Sequence, residues 1–185
     1  EMTRAFADDG YIKPNCTFVH YAVEKYPVRL VAVDSLAADG SAKGDLCDAR
    51  LAALDATLAE APAQPTALFM HHPPFVSGIG FMDKRPFVGA DKLEDIVKRH
   101  PQITGIVCGH MHRPISVAWG GTIACVAPSL VFQMTMDLTP GATSSFMLEP
   151  AACPIVLWNE DHGMIYHCSQ IGPYGDPNPF VVDPL

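Results

Sequence analysis

Histidines follow two short apolar segments of the chain. His71 and His72 come directly after Ala67-Leu68-Phe69-Met70, and His110 and His112 come after Ile106-Val107-Cys108-Gly109. An apolar run that ends in ligand-type side chains is typical of a buried strand at the ligand-binding edge of a sheet. Side chains on an extended backbone repeat every second residue, so we expect His110 and His112 to face the same way.

This pattern predicts a metal site with His71, His110 and His112 as ligands. A single histidine on an apolar strand is usually structural, but here histidines end two successive strands at equivalent positions. Imidazole ligands suit Zn, Mn, Fe or Co and do not choose among them. His72 is expected to face away from His71 and to bond its neighbours instead of a metal, because adjacent strand residues point in opposite directions.

Two further residues are candidates for the surroundings of the site. Asp34 ends the apolar segment Val28–Val33, which suits a carboxylate near a metal or one that bonds backbone amides. Phe75 opens the loop 75–89, which either borders the site and influences substrate choice or is a solvated surface loop.

The order of the elements predicts an α/β layered fold. Cys16–Val23 and Val28–Asp34 are expected to form a hairpin, and the second strand is expected to be covered on both faces. A helix over 46–60 with Asp45 as its N-cap, a strand over 66–70, a helix over 91–100 and a strand over 103–108 follow. Strand-helix alternation of this kind indicates a layered sheet with ligands at its carboxyl edge.

The C-terminal part of the sequence has a different, antiparallel pattern. Ile115–Trp119 and Thr122–Val126 flank Gly120-Gly121, which predicts a tight hairpin. Later short apolar runs alternate with Gly, Pro and Asp turns. We expect a core over 1–135, antiparallel cap or dimerisation hairpins over 136–170, and an extended tail over 171–185.

Composition limits the possible partners. At 185 residues and 49% hydrophobic residues the chain suits one buried core, and its net charge of −8 disfavours a nucleic-acid polymer as partner. No apolar run is long enough to span a bilayer, so no membrane partner is expected. Six scattered cysteines without a CxxC pair predict reduced thiols and a cytoplasmic location.

His71-His72-Pro73-Pro74, followed by Gly109-His110-Met111-His112, resembles the last two motifs of the calcineurin-like metallophosphoesterases. The branch most similar is that of bacterial glycerophosphodiesterases and class III cyclic-nucleotide phosphodiesterases. The resemblance implies the C-terminal part of a four-layer α/β/β/α sandwich. It also implies two divalent ions, with His71 and His110 as ligands of one ion and His112 as a ligand of the other.

Of the family's earlier motifs, D-x-H and G-N-H-D/E do not occur in this sequence. The letters G-D-x-x-D occur once, at Gly44-Asp45-Leu46-Cys47-Asp48, where we expect the end of a loop and the start of a helix. Glu1 to Arg4 resembles the helix after the G-N-H-D/E motif, so the chain resembles a C-terminal portion that carries only the histidine-rich half of the site. The resemblance implies a metal-dependent hydrolase of small phosphodiesters, either a cyclic nucleotide or a glycerophosphodiester. The alternative is a truncated, non-catalytic metal-binding or oligomerisation module.

A zinc hydrolase of another fold is disfavoured, because Pro114 stands where an H-x-H-x-D-H run needs Asp and no HExxH occurs. The apolar segments around Phe146–Leu148 and Ile155–Trp158 predict a homo-oligomer interface or a completed core.

Overall fold

A six-stranded sheet forms the centre of the computed structural model, which describes residues 2–13 and 16–178. Its strands are β1 (Tyr21–Val23), β2 (Arg29–Val33), β3 (Thr66–Met70), β4 (Ile103–Cys108), β5 (Ile115–Trp119) and β6 (Thr122–Val126). The spatial order is β1-β2-β3-β4-β6-β5. Strands β2, β3, β4 and β6 run parallel, and β1 and β5 are antiparallel edge strands.

Both hairpins that the sequence predicts in this sheet are present. Strands β1 and β2 pair antiparallel, although β1 begins only at Tyr21, and β5 and β6 pair on either side of Gly120-Gly121. Gly120 and Gly121 have φ values of 61° and 88°, which explains why the sequence uses glycine at both positions. The insertion of β6 between β4 and β5 is a non-local feature that the local turn signals do not predict.

Two helices cover one face of the sheet. Helix α2 (Asp48–Ala59) and helix α3 (Ala90–Arg99) lie within one or two residues of their predicted bounds. The predicted N-cap Asp45 is wrong: the cap position is Cys47, and the Asp45 backbone instead forms a bridge with Val88. A four-residue helix α1 (Met2–Ala5) and two 3-10 turns, Ala7–Asp9 and Met82–Lys84, complete the helical segments described.

The hydrophobic core lies between these helices and the sheet. Alternate strand residues face the helices, as the two-residue period of extended backbone requires. They pack against the helix residues in one cluster: Val31, Val33, Leu68, Met70, Ile106, Cys108, Leu51, Leu54, Leu58, Leu93, Ile96 and Val97. This apolar burial is the main stabilising term of the fold and fixes the register of the parallel strands.

The other face of the sheet is only partly covered. Ala32, Phe69 and Val107 line a pocket of about 710 Å³ that reaches the carboxyl ends of β2, β3 and β4. The expectation that Val28–Asp34 would be covered on both faces is therefore wrong at Ala32. The helices provide the cover on the side of Val31 and Val33 alone.

Short antiparallel sheets form the C-terminal part of the described chain. Strands β7 (Gln133–Met134) and β8 (Phe146–Met147) pair, as do β9 (Ala152–Asn159) and β10 (Gly163–Gln170). Residues 171–178 contain no helix or strand, and the rest of the predicted tail lies outside the described residues. The division into a core over 1–135, cap or dimerisation hairpins over 136–170 and a tail over 171–185 stays a prediction.

Candidate metal centre

Two parallel strands end side by side where the histidines begin. Met70 and Cys108, the last residues of β3 and β4, are Cα partners in the sheet. The N–H of Gly109 donates to the carbonyl of His71 at 2.9 Å, so the two backbone segments stay paired for one residue beyond the strands. A Cβ at residue 109 would stand 3.3 Å from the His71 ring, so glycine allows the closest approach of that ring.

His71 and His110 meet at this edge. Nε2 of His71 and Nδ1 of His110 are 3.2 Å apart, and one ring donates a hydrogen bond to the other. Zinc–nitrogen bonds of about 2.0–2.1 Å at a tetrahedral angle place two ligand nitrogens roughly 3.3 Å apart. The spacing of this pair therefore fits two imidazoles that share one metal ion in place of one proton.

Left-handed backbone brings the histidines of the second motif into position. His110 and His112 have φ values of 68° and 49°, and they are the non-glycine residues with positive φ among those described. Strand β4 ends at Cys108, so the strand alternation expected for His110 and His112 does not apply to them. Non-glycine residues in this region are strained and tend to be found at functional sites.

His72 lies inside the histidine group, contrary to the expectation that it faces away. Strand β3 ends at Met70, so His71 and His72 are no longer alternating strand residues. Ligand nitrogens of His71, His72 and His110 all lie within 4.8 Å of one another. His72 is 4% exposed, and it is the one fully buried member of the group.

Ser35 fixes the orientation of His72. The hydroxyl oxygen of Ser35 lies 3.0 Å from Nδ1 of His72 and accepts the His72 backbone N–H at 3.2 Å. If Nδ1 carries the ring proton and donates it to Ser35, Nε2 keeps its lone pair. Metal-binding histidines are commonly held by such a bond from the second ring nitrogen.

His112 lies close to the group without belonging to the three-histidine cluster. Its Nδ1 is buried and has no hydrogen-bond partner among the described residues. Its ring packs on Phe132 with centroids 4.6 Å apart. A buried imidazole nitrogen without a partner costs free energy, which a metal bond would offset.

The electrostatics of the site keep the imidazoles neutral. Burial, followed by the charges of His110 and His71, lowers the pKa of His72 to about 4. Burial and then His112 lower the pKa of His71, and burial, His71, His112 and Arg85 lower the pKa of His110. Neutral imidazoles have free lone pairs at pH 7, which metal binding requires.

The carboxylate of Asp34 accepts hydrogen bonds from backbone N–H groups and lies near an arginine. Its carboxylate accepts the N–H groups of Val19 at 3.0 Å and Leu36 at 3.1 Å, and Arg50 lies 3.6 Å away. Asp34 lines the same pocket as His71 and His72. The sequence analysis offered two roles for Asp34, bonding backbone amides or lying near a metal. These contacts favour the first role, and the second stays a prediction.

Phe75 packs against the hydrophobic core and lines a separate cavity with Met111 and Arg85. The role in substrate choice that the sequence suggested for it also stays a prediction. Sequence reasoning missed Ser35 and Phe132 at the site. Ser35 alone had a usable signal, because it follows a strand parallel to the one that ends before His71 and His72.

Comparison with known proteins identifies the relatives of this chain. A probable glycerophosphodiester phosphodiesterase (GpdQ) of Arcobacter nitrofigilis is 31% identical over 97% of the chain and 65% of its own length. A probable cyclic nucleotide phosphodiesterase of Rhodopseudomonas palustris is 36% identical over 76% of the chain and 52% of its length. The chain is homologous to bacterial glycerophosphodiester and cyclic nucleotide phosphodiesterases. The predicted resemblance is confirmed.

Other comparisons agree at a coarser level. The cyclic AMP phosphodiesterase CpdA of Escherichia coli is 30% identical over 51% of the chain. A dimetal phosphatase of Danio rerio shares the fold, with a TM-score of 0.52, 14% identity, and coverage of 90% of this chain and 62% of that one. No protein-family model matches the chain. The chain spans between half and two thirds of the length of its first two curated relatives.

Proposed function

We propose that this chain provides the histidine-rich half of the dinuclear metal site of a phosphodiesterase. The 3.2 Å pair of His71 and His110 at the carboxyl edge of the sheet is the observation that carries this proposal. His71, His72, His110 and His112 would hold divalent ions. Two such ions would supply an activated water-derived nucleophile and charge neutralisation for in-line attack on phosphorus.

The chain's own residues position these ligands. Ser35 orients the His72 ring, and the Gly109 N–H bond to His71 holds the two motifs together. Burial is the largest cause that lowers the pKa of His71, His72 and His110, which favours their neutral forms. Among the described residues no carboxylate joins the three-histidine group, which agrees with a site of which this chain carries only part.

The substrate proposed is a small phosphodiester, either a cyclic nucleotide or a glycerophosphodiester. The printed names of the relatives support both classes. The ions proposed are Mn, Fe, Zn or Co, because imidazole ligands accept each of them. A cytoplasmic location is supported by six free cysteines. No helix among residues 2–13 and 16–178 combines the length and apolarity needed to cross a membrane.

Hydrolysis of bis(4-nitrophenyl) phosphate with added Mn²⁺, by a version of the protein extended upstream to restore the family's earlier motifs, tests the catalytic proposal. We expect metal-dependent release of nitrophenolate that EDTA abolishes and that His110→Ala reduces at least about 100-fold. His162→Ala is the matched control, since His162 is exposed at a hairpin turn. Metal binding without hydrolysis would instead support the alternative, a non-catalytic metal-binding module.

We also propose that the C-terminal hairpins form an interface between copies of the chain. Exposed apolar residues are concentrated there, including Phe146, Met147, Leu148, Ile155 and Leu157. Their exposure means that these five side chains do not complete the core, which was the other possibility. Clustered exposed apolar side chains are typical of association surfaces.

A further inference from the structure

The backbone of His112 is held in an unfavourable conformation by a later part of the chain. Its φ value of 49° lies in the left-handed region, which costs a non-glycine residue free energy unless its surroundings fix it. The N–H of Met134 donates to the carbonyl of His112 at 3.3 Å, and the ring of Phe132 packs on the ring of His112. Both contacts come from the segment that follows β6, so the conformation of this histidine depends on residues that are distant in sequence.

The next residue, Arg113, binds the same segment through its side chain. Its guanidinium donates to the carbonyl of Met134 at 2.6 Å, so Met134 bonds both His112 and Arg113. The guanidinium also donates to both carboxylate oxygens of Glu149, at 3.1 and 2.9 Å. We refer to Arg113, Met134 and Glu149 as the clamp.

The geometry of the clamp is specific. Arginine presents its donors as a planar fork, and a bidentate pair with a carboxylate fixes both distance and orientation. The side chains of Arg113 and Glu149 are 13% and 34% exposed, so solvent screens this pair less than it screens a fully exposed one. The pairing of β7 with β8, in which Met134 lies opposite Phe146, connects the two acceptors of the guanidinium.

The clamp is attached directly beside the strained histidine. The Nδ1 atom of His112 is buried and has no hydrogen-bond partner among the described residues. Left-handed backbone and an unpaired buried nitrogen both cost free energy, so this part of the chain should relax if the clamp is removed. Costly features that neighbouring contacts hold in place are typical of functional sites.

We infer that Arg113 and Glu149 are positioning residues for His112. The clamp holds the His112 backbone in its left-handed conformation and so keeps Nδ1 of the ring available to a metal ion. This inference rests on the proposed function for the role of His112 as a ligand, and it adds two residues from outside the histidine pair to the metal centre. Loss of the clamp should displace the ring of His112 and leave those of His71 and His110 in place.

NMR of the 185-residue chain, with labelled backbone and histidine rings, tests this inference first in EDTA. We expect Glu149→Ala to shift the backbone N–H and Cα signals of His112, although residue 149 is far from it in sequence. Glu149→Gln keeps one oxygen as an acceptor for Arg113 and should shift them less. Asp55→Ala is the matched control, because Asp55 pairs with Arg99 on the helices, outside the clamp.

Addition of Zn²⁺ then measures the consequence for the metal centre. In the unaltered chain zinc should shift the ring signals of His71, His110 and His112. In Glu149→Ala the shift of His112 should be lost while the other two remain, and zinc affinity should fall about tenfold, as when a group that orients a ligand is removed. Urea denaturation in EDTA establishes that each variant is folded, and Glu149→Gln replaces Glu149→Ala if the latter is not.

The two arms separate this inference from the proposed function. Unchanged His112 signals of Glu149→Ala in EDTA would overturn the inference, as would zinc binding equal to that of the unaltered chain or equal loss of all three ring shifts. A His112 change in EDTA, with no histidine of the unaltered chain responding to zinc, would sustain the clamp and contradict the proposed function. A His112 change with selective loss of its zinc response would sustain both.

Discussion

Burial and mutual repulsion keep the clustered imidazoles of this chain from taking up protons. The lowered pKa values of His71, His72 and His110 follow from their placement at one edge of the sheet. Bulk water would hold each ring near its ordinary pKa of about 6.5. Grouping these neutral rings at the sheet edge therefore lowers the stability of the metal-free fold, and a bound metal ion would raise it.

The lowered pKa of His72 predicts a pH-dependent stability of the metal-free chain. In the folded state the pKa is about 4, below the unfolded value of 6.5, so the unfolded state binds more protons between these values. The free energy of unfolding should be highest above pH 6.5 and fall as the pH drops towards 4. The shift corresponds to a loss on the order of 3 kcal/mol.

Urea denaturation in EDTA at pH 7, 6, 5 and 4 measures this dependence. His72→Gln retains a side chain that can bond Ser35 but removes the titration, so its unfolding free energy should fall less steeply over the same range. If the unfolding free energy of the variant fell as steeply with pH as that of the unaltered chain, His72 would not contribute to the pH dependence.

Local sequence signals predicted the helices and strands more completely than they predicted the geometry of the site. Gly120-Gly121 and the apolar strands were sufficient to place β5, β6, β3 and β4, because hairpin turns and strand burial are encoded within a few residues. Strand alternation predicted that His110 and His112 face the same way, but strand β4 ends at Cys108 and both histidines have left-handed backbone. Of the two, His110 joins the three-histidine group and His112 lies beside it. That conformation depends on contacts between distant segments, which a single sequence does not display.

The position of β6 between β4 and β5 is another non-local outcome. The same holds for Phe132, which lies some twenty residues after His112 in the sequence and contacts its ring. Neither the position of β6 nor the contact of Phe132 with His112 can be predicted from the spacing of residues in the sequence. The grouping of His71 and His110 at the sheet edge was predictable, because each follows the end of a strand in the sequence. Their role as metal ligands stays a prediction.

Tyr166 of β10 connects the terminal hairpin with the main sheet. Its hydroxyl is buried without a hydrogen-bond partner among the described residues and occupies the space beside Gly105 of β4, where a Cβ would collide with it. Burial raises its pKa to about 12. An unsatisfied buried hydroxyl costs about 1–3 kcal/mol, partly offset by the packing of the ring.

Tyr166→Phe should therefore leave the free energy of unfolding unchanged or raise it by up to about 1 kcal/mol. The unaltered chain should lose stability as the pH rises from 10 towards 12, because unfolded tyrosine ionises first, and the variant should lose less. Urea denaturation at pH 8 and pH 10.5 measures both effects. Tyr174→Phe, at an exposed tyrosine, is the control. A loss above about 1 kcal/mol in Tyr166→Phe would contradict the assignment.

For the whole molecule, the exposed apolar residues of the C-terminal hairpins predict self-association. In sedimentation velocity the sedimentation coefficient should rise with protein concentration. The double substitution Ile155→Lys and Leu157→Lys on β9 should shift the chain to the monomer. Glu160→Lys, at an exposed polar turn of the same hairpin, should leave association unchanged. A strictly monomeric chain at high concentration would contradict the proposed interface.

The half-site account requires that the four histidines bind metal without the family's earlier motifs. Isothermal titration of Zn²⁺ into the EDTA-stripped, 185-residue chain at pH 7.5 tests this requirement most directly. We predict about one bound ion, with affinity reduced at least about 100-fold in His110→Ala and unchanged in His162→Ala. Equal zinc affinity in His110→Ala and the unaltered chain would contradict the account.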